Sequence, residues 1–256
     1  MKFKHLIAAA VAVALSTGIA AAKDWSTVRI GTEGAYPPFN SMTSDNELVG
    51  FDIDIAKALC ERMKVTCEFV AQDWDGIIPA LLANKYDAII ASMSITEERK
   101  KKVDFTNKYY NTPARFVTAK DGGVTDTSPA GMSGKTIGAQ SSTTHATYLE
   151  DVYGDSNIKL YATQDEANLD LAAGRLDAVL ADSIVLLEWM KTDEGGCCDY
   201  VGEAINDVKY FGEGAGIALR QEDDDLREMF NEALAAIIAD GTYDKINAKY
   251  FPFSIY

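Results

Sequence analysis

The chain has 256 residues, a formal net charge of -15 at pH 7 and only two histidines. Such an acidic chain is a poor candidate for binding nucleic acid or anionic lipid, because both would repel it. Residues 1–22 have the features of a secretory signal peptide: a basic start, an apolar run and a small-residue cleavage site. The apolar run is too short to span a bilayer as a permanent helix. We therefore predict an exported protein whose mature chain begins after Ala22.

Strand and helix patterns alternate in the first part of the mature chain. A strand pattern is followed by a loop with two prolines, which cannot continue it. The later segments alternate between helical spacing of apolar residues and the shorter spacing of strands. This order, βαβαβ, predicts a mostly parallel sheet with helices on its faces. The segments in chain order are residues 28–32, 55–63, 65–69, 77–82 and 87–91.

Polar residues follow the last of these strands at the point where it ends. Ser92 and Ser94 come first, and Arg99 stands in the polar helical run that follows. A guanidinium can bind both oxygens of a carboxylate, while hydroxyls and backbone N–H groups complete the shell. Taken alone, the stretch is better interpreted as a loop with a solvated arginine. A second, related stretch favours a carboxylate site.

The same plan begins again after a connector at residues 120–123. A strand leads into Gln140 and a hydroxyl-rich loop with Thr143 and Thr144, which opens a helix and offers free N–H donors to an anion. Residues 171–182 then repeat the layout of residues 82–92. In both, Asp-Ala begins a strand and polar residues stand at its carboxyl end, the edge at which open α/β sheets bind ligands.

We therefore predict an α/β protein of two similar lobes, each a mostly parallel sheet flanked by helices, with the polar edges facing each other across a cleft. Lobe 1 comprises residues 23–113 and 210–256, and lobe 2 comprises residues 114–209, so two crossovers form a hinge. Arg99 in one lobe and Asp182 in the other would suit a zwitterion, with its carboxylate on Arg99 and its ammonium group on Asp182. Nothing in the sequence indicates an oligomer.

Four cysteines in an exported chain favour at least one disulfide. Cys60 and Cys67 flank a predicted helix end and the strand after it, so we predict that they pair. Cys197 and Cys198 are adjacent, and the sequence leaves open whether they pair with each other. Metal-ligand spacings are absent from the sequence, so we predict neither a metal site nor a cofactor.

At this level of detail the chain resembles the periplasmic amino-acid-binding proteins of ABC importers, the solute-binding protein family 3. It is most similar to the lysine/arginine/ornithine-binding and opine-binding branch. The resemblance covers essentially the whole mature chain and implies a type II two-lobed fold that closes on its ligand. It also implies two partners, a small amino acid and a membrane permease with its ATPase. The motifs that carry it are residues 50–54, 87–96, 174–178 and 240–245.

The resemblance also implies roles for individual residues. Arg99 falls on the family's carboxylate-binding arginine and Asp182 on its amine-binding aspartate, while Cys60 and Cys67 match the disulfide of the branch. Glu33 stands where the cationic-amino-acid binders carry aspartate, and Ala91 replaces a serine. The resemblance therefore leaves undecided which chemical group lies at the side-chain end of the ligand. Tyr36 and Trp74 fall on the aromatic positions of the side-chain pocket. The predicted ligand-binding set is Glu33, Tyr36, Trp74, Ala91, Ser92, Ser94, Arg99, Gln140, Thr143, Thr144 and Asp182.

A carboxylate flanked by two aromatic faces suits a cation, and a guanidinium best of all. We therefore predict arginine as the ligand, ahead of lysine, ornithine and histidine. The alternative is an opine, an arginine with a second acid on its amine, for which the small Ala91 would leave space. Ser92 and His145 depart from the opine pattern.

A third interpretation is a dehydratase on the same fold, with Glu33 and Asp182 as its acid and base. His145 is the only histidine outside the predicted signal peptide, and we expect it on a helix surface or at the rim of the cleft. The sequence contains no Gly-x-Ser-x-Gly nucleophile motif, so a Ser-His-Asp triad has little support. We therefore predict a binding protein and not an enzyme.

Overall fold

The computed structural model describes residues 23–256, and the predicted signal peptide lies outside the described residues. Within residues 23–256, none of the helices combines the length and the apolar character needed to cross a bilayer. The strands of this part are β1 (Thr27–Thr32), β2 (Ala35–Tyr36), β3 (Asn40–Met42), β4 (Leu48–Val49), β5 (Thr66–Ala71), β6 (Ala88–Ile89), β7 (Asp104–Phe105), β8 (Ala114–Ala119), β9 (Thr136–Gln140), β10 (Asn157–Tyr161), β11 (Ala178–Asp182), β12 (Cys198–Ile205) and β13 (Ala218–Leu219).

Helices alternate with these strands, as the sequence pattern predicted. Two short 3-10 helices accompany them, at Trp74–Gly76 and Gly195–Cys197. The α-helices are α1 (Phe51–Met63), α2 (Ile77–Leu82), α3 (Glu97–Lys100), α4 (Thr144–Val152), α5 (Gln164–Ala172), α6 (Ser183–Trp189), α7 (Val208–Phe211), α8 (Asp224–Ala239) and α9 (Thr242–Tyr250).

Two five-stranded sheets form the centres of two lobes. The strand order is β5-β1-β6-β13-β7 in the first sheet and β10-β9-β11-β8-β12 in the second. The first three strands of each sheet are parallel, and the fourth is antiparallel to the third. The predicted α/β fold with a repeated plan is therefore confirmed. We call the parts built on the first and second sheets lobe 1 and lobe 2; the boundaries predicted at residues 113 and 209 stay predictions.

The core of lobe 1 joins the first helix to the last part of the chain. Ile55 and Leu59 of α1 are fully buried against Ile30 of β1, and Phe230 and Leu234 of α8 complete the same cluster. The apolar stripe of α8 follows helical spacing, so one face packs inward while charged residues remain outside. The C-terminal part of the chain therefore returns to lobe 1.

A glycine positions the start of α1. Gly50 has a backbone φ of 127°, and a Cβ atom there would lie 2.3 Å from the carbonyl oxygen of Phe39. Only glycine adopts this conformation without strain. Asp52 and Asp54 occupy the first turn of α1, where negative charge is favoured by the helix dipole. This start matters for the cleft, because Asp52 points toward a residue that lines it.

The predicted disulfide between Cys60 and Cys67 is confirmed. It links the end of α1 to β5, and the two Cα atoms are 6.0 Å apart. Neither cysteine lines the cavity described below.

We expect a Cys60→Ser/Cys67→Ser double variant to lose about 2–3 kcal/mol of unfolding free energy, because a short closed loop no longer restrains the unfolded chain. Urea unfolding of both proteins measures this difference. Ligand affinity should be unchanged in the variant, since the bond lies away from the cavity. Equal stability of the two proteins would contradict the prediction.

Candidate functional site

The carboxyl ends of the two sheets face a cleft that contains a cavity of about 320 Å³. Both lobes contribute to its walls, so the site exists only when the two lobes come together. The lining residues are Glu33, Tyr36, Trp74, Ala91, Ser92, Ser94 and Arg99 from lobe 1, and Gln140, Thr143, Thr144 and His145 from lobe 2.

Ten of the eleven predicted ligand-binding residues line this cavity, and Asp182 does not. Asp182 ends β11 and caps α6, where its Oδ1 accepts a hydrogen bond of 2.8 Å from the backbone N–H of Ile184. The hydroxyl of Thr112 donates to its other oxygen. Burial raises the pKa of Asp182 to about 6. Burial, and then the nearby charge of Asp182, raise the pKa of Tyr36 well above its usual value, so Asp182 lies next to the cavity wall.

Arg99 is a cation in the cavity wall. Its Nη1 donates a 3.0 Å hydrogen bond to the carbonyl oxygen of Ser94, and its guanidinium carbon lies 5.3 Å from the centre of the Trp74 ring. It forms no ion pair with any carboxylate of residues 23–256. Burial lowers its pKa to about 10, so it stays charged at neutral pH. An enclosed charge without a counter-ion is costly, and an anionic ligand group would relieve that cost.

The carboxylate of Asp52, which is completely buried, orients Ser92. The Ser92 hydroxyl donates to Asp52 at 3.0 Å, and the Ser92 backbone N–H donates to the Tyr109 hydroxyl at 3.1 Å. Tyr109 and Asn40 also donate to Asp52, at 2.8 and 2.9 Å. Ser92 has a φ of 55°, the left-handed region that a serine rarely adopts. These bonds therefore fix both the backbone and the hydroxyl of Ser92.

Glu33 is the acidic residue of the cavity, and it faces Gln140 of lobe 2. Gln140 Nε2 donates a 2.5 Å hydrogen bond to Glu33 Oε1. Burial above all, together with the charges of Asp73, Asp165 and Asp75 and against the effect of the Gln140 hydrogen bond, raises the pKa of Glu33 to about 7. The carboxyl group is therefore in a setting where a cationic partner would favour its ionised form.

Two further hydrogen bonds join the lobes beside the cavity. The indole N–H of Trp74 donates to the carbonyl oxygen of Ser142 at 3.1 Å. The Ser141 hydroxyl lies 2.9 and 3.0 Å from the two carboxylate oxygens of Asp75. The structure is therefore the closed arrangement of the two lobes.

His145 also lines the cavity, whereas the sequence predicted a helix surface or the rim of the cleft. It follows Thr144 in the first turn of α4, and its ring centre lies 5.3 Å from that of Phe211. Burial, and then the charge of Arg99, lower its pKa to about 3, so the imidazole is neutral. Within residues 23–256, the acidic, histidine and cysteine side chains form no cluster of three or more that could hold a metal ion.

Matching sheets, a cleft between two lobes and a polar cavity within it define a two-lobed ligand-binding protein of the type II periplasmic class. The chain belongs to the bacterial extracellular solute-binding proteins, family 3, whose sequence profile matches residues 28–253. Predicted fold and predicted family are thus both confirmed.

Individual relatives cover nearly the whole chain. An L-arginine-binding protein of Pseudomonas aeruginosa is 51% identical over 90% of this chain and 89% of its own length. The lysine/arginine/ornithine-binding periplasmic protein of Escherichia coli is 40% identical over 99% of this chain and 98% of its own. A Salmonella typhimurium periplasmic binding protein, solved to explain its high arginine specificity, is 35% identical with a TM-score of 0.82, over 88% of this chain and 99% of its own. All three are named as binding proteins.

Proposed function

We propose that this protein is the periplasmic solute-binding component of an ABC import system and that it binds L-arginine between its lobes. One observation carries the proposal: the cavity contains a cation, Arg99, and a carboxyl group, Glu33, that do not pair with each other. A ligand with an acid at one end and a cation at the other would supply a partner to each. Free arginine has this charge pattern.

Each part of arginine has a partner in this arrangement. The α-carboxylate would bind the guanidinium of Arg99, whose planar shape allows two parallel hydrogen bonds. The side-chain guanidinium would bind Glu33 and stack on the aromatic faces of Tyr36 and Trp74. Asp182 would receive the α-ammonium group, and its raised pKa fits a buried carboxylate that gains from a cationic neighbour. The arginine-binding relatives support the same ligand.

We also propose that the chain is exported, loses residues 1–22 near Ala22, and acts as a monomer that delivers its ligand to a membrane permease with its ATPase. The relatives named as periplasmic support this location. We propose no enzymatic activity. A dehydratase reaction would change the mass of the ligand, so recovery of unaltered arginine after prolonged incubation is the expected result.

A ligand panel tests the proposed function. Arginine at a hundred times its dissociation constant should stabilise the protein by about 2.7 kcal/mol, because it binds only the folded state. Lysine, ornithine and histidine should stabilise it less. Citrulline, which has nearly the same shape as arginine but an uncharged side chain, is the matched control and should have little effect. Thermal unfolding and calorimetry measure both quantities.

Two results of this panel would contradict the proposal. Stabilisation by glutamate or leucine but not by arginine would exclude a cation site at Glu33. Displacement of arginine by octopine at equal concentration would make an opine the preferred ligand.

A further inference from the structure

Cys197 and Cys198 lie in lobe 2, and neither lines the cavity. Cys197 ends the 3-10 helix at Gly195–Cys197, and Cys198 begins β12. Cys197 is exposed and Cys198 is buried, and their Sγ atoms are 2.6 Å apart. The other two cysteines of the sequence are already joined to each other in lobe 1. Each of these two thiols therefore has the other as its only partner within the chain.

We propose that Cys197 and Cys198 form a disulfide with each other in the exported protein, and that this bond is reduced more readily than Cys60–Cys67. A disulfide places its sulfur atoms about 2.03–2.05 Å apart. The two thiols are already much closer to that distance than two sulfur atoms in ordinary contact.

The surrounding backbone holds the two cysteines together. Lys120 donates from its backbone N–H to the carbonyl oxygen of Cys197 at 2.9 Å and from Nζ to that of Gly196 at 2.8 Å. Gly196 N–H donates to the carbonyl oxygen of Thr192 at 3.0 Å, and Gly195 N–H to the Thr192 hydroxyl at 3.1 Å. These bonds fix the turn on both sides of the cysteine pair. The turn therefore presents the thiols to each other before any oxidation.

The packing around the turn explains why it keeps this shape. A Cβ atom on Gly195 would lie 2.1 Å from the carbonyl oxygen of Trp189, so only glycine allows the turn to approach the end of α6. Cys198 packs into the core of lobe 2 with Trp189 and Leu186. One thiol is therefore anchored in the core while the other faces solvent.

This difference in exposure sets the order of the chemical steps. The exposed Cys197 thiolate attacks a disulfide of the oxidant, for example glutathione disulfide, forming a mixed disulfide and releasing one thiol. The Cys198 thiolate then attacks the sulfur of Cys197 and releases the second thiol. The protein loses two electrons and two protons, and one oxidant disulfide becomes two thiols. Burial raises the pKa of the Cys198 thiol, so the second step should accelerate as the pH rises.

Adjacency explains why the bond would be labile. Consecutive Cα atoms are about 3.8 Å apart, whereas bonded cysteines usually have Cα atoms about 4.4–6.8 Å apart. A disulfide outside its usual range is strained and more reducible. Cys60 and Cys67, with Cα atoms 6.0 Å apart, lie within that range. The Cys60–Cys67 bond therefore serves as an internal control for the reducibility of the Cys197–Cys198 bond.

The test uses the mature protein, incubated with excess glutathione disulfide and then alkylated under denaturing conditions. Peptide mass spectrometry should find no alkylated cysteine, and the peptide with Cys197 and Cys198 should be lighter by two hydrogen atoms than its reduced form. Titration with dithiothreitol should then free this pair at a reductant concentration roughly tenfold or more below that needed for Cys60–Cys67.

A Cys197→Ser variant provides the matched comparison. It should retain one thiol at Cys198, which alkylates only when the protein is unfolded, while arginine affinity stays as in the wild type. Two alkylated residues at positions 197 and 198 after the oxidant treatment would overturn the proposed bond. A mixed disulfide with glutathione at Cys197 that never closes would overturn it as well. Reduction of both pairs at the same reductant concentration would overturn the proposed difference in lability.

Discussion

An Arg99→Ala variant is expected to lose nearly all arginine binding. The ligand's α-carboxylate would enter a closed cavity without a cationic partner, because no other lysine or arginine of residues 23–256 lines that cavity. Removing one partner of a buried charge pair costs about 2–5 kcal/mol, which is roughly a 30-fold to several-thousand-fold loss of affinity. Calorimetry with arginine measures the change.

Two further variants separate the role of Arg99 from general effects of charge. Arg99→Lys keeps the charge but not the planar fork, and it should recover little affinity. Arg62→Ala removes an arginine whose side chain is 45% exposed and paired with Asp240 on the surface, so its affinity should equal that of the wild type. Near-wild-type affinity of a folded Arg99→Ala variant would remove Arg99 from the site.

A Glu33→Gln variant is expected to lose the preference for arginine over citrulline and most of the pH dependence of binding near neutrality. Glutamine has nearly the same shape as glutamate, but it offers the ligand guanidinium no charge. In the wild type the pKa of Glu33 is about 7, and a bound cation requires the ionised carboxylate. Arginine affinity should therefore fall by about tenfold for each pH unit below 7.

Ionisation of Glu33 should make the stability of the ligand-free protein fall as the pH rises, which is opposite to its effect on arginine affinity. A carboxyl group whose folded pKa is raised, here from 4.5 to about 7, holds its proton more tightly when folded than when unfolded. Its contribution to stability is therefore lost as the pH rises from about 4.5 to about 7. His145 opposes this trend: its folded pKa is about 3, whereas an unfolded histidine binds a proton near the ordinary value of 6.5, so its contribution to stability is lost as the pH falls from about 6.5 toward about 3.

Titration calorimetry with arginine between pH 5 and pH 8 measures how the affinity depends on pH. Scanning calorimetry without ligand over the same range measures how the stability depends on pH. The matched control is Glu68→Gln, which neutralises an exposed carboxylate on β5 and should leave both affinity and its pH profile unchanged. A Glu33→Gln variant that still prefers arginine to citrulline by the wild-type ratio would show that another group recognises the guanidinium.

Much of the fold followed from the sequence, because hydrophobic periodicity reports which side of a helix or strand is buried. Residues 210–256, which contain α8, were assigned to lobe 1, whose core α8 completes, and the polar residues after β6 and β11 predicted a site at the sheet edges. The carboxyl end of β6 faces the cleft. Ser92 and Ser94 follow this strand and Arg99 lies in α3 just beyond them, so the position of β6 in the sheet also brings these three residues to the cleft.

Contacts that depend on distant parts of the chain were not predictable in this way. Asp52 could be assigned to the first turn of α1, but its bonds to Ser92 and Tyr109 require the complete packing of lobe 1. His145 enters the cavity because α4 docks with its first turn toward lobe 1, which local spacing does not reveal. Asp182 was predicted at the correct strand end and lies beside the cavity wall, but its hydrogen bond to the start of α6 could be seen only in the complete fold.

The bond between Ser141 and Asp75 has a consequence for how selectivity and affinity are divided within the molecule. It joins the lobes through protein atoms outside the cavity, so it favours closure by the same free energy for every cargo. Discrimination between two cargoes is a difference of their binding free energies, and a contribution common to both cancels. Substitutions at this bond would therefore rescale all affinities together and leave the ranking of cargoes intact, whereas changes at Glu33 would reorder it. A substitution at this bond would thus adjust the affinity to a low or a high concentration of the nutrient without changing which nutrient the protein prefers.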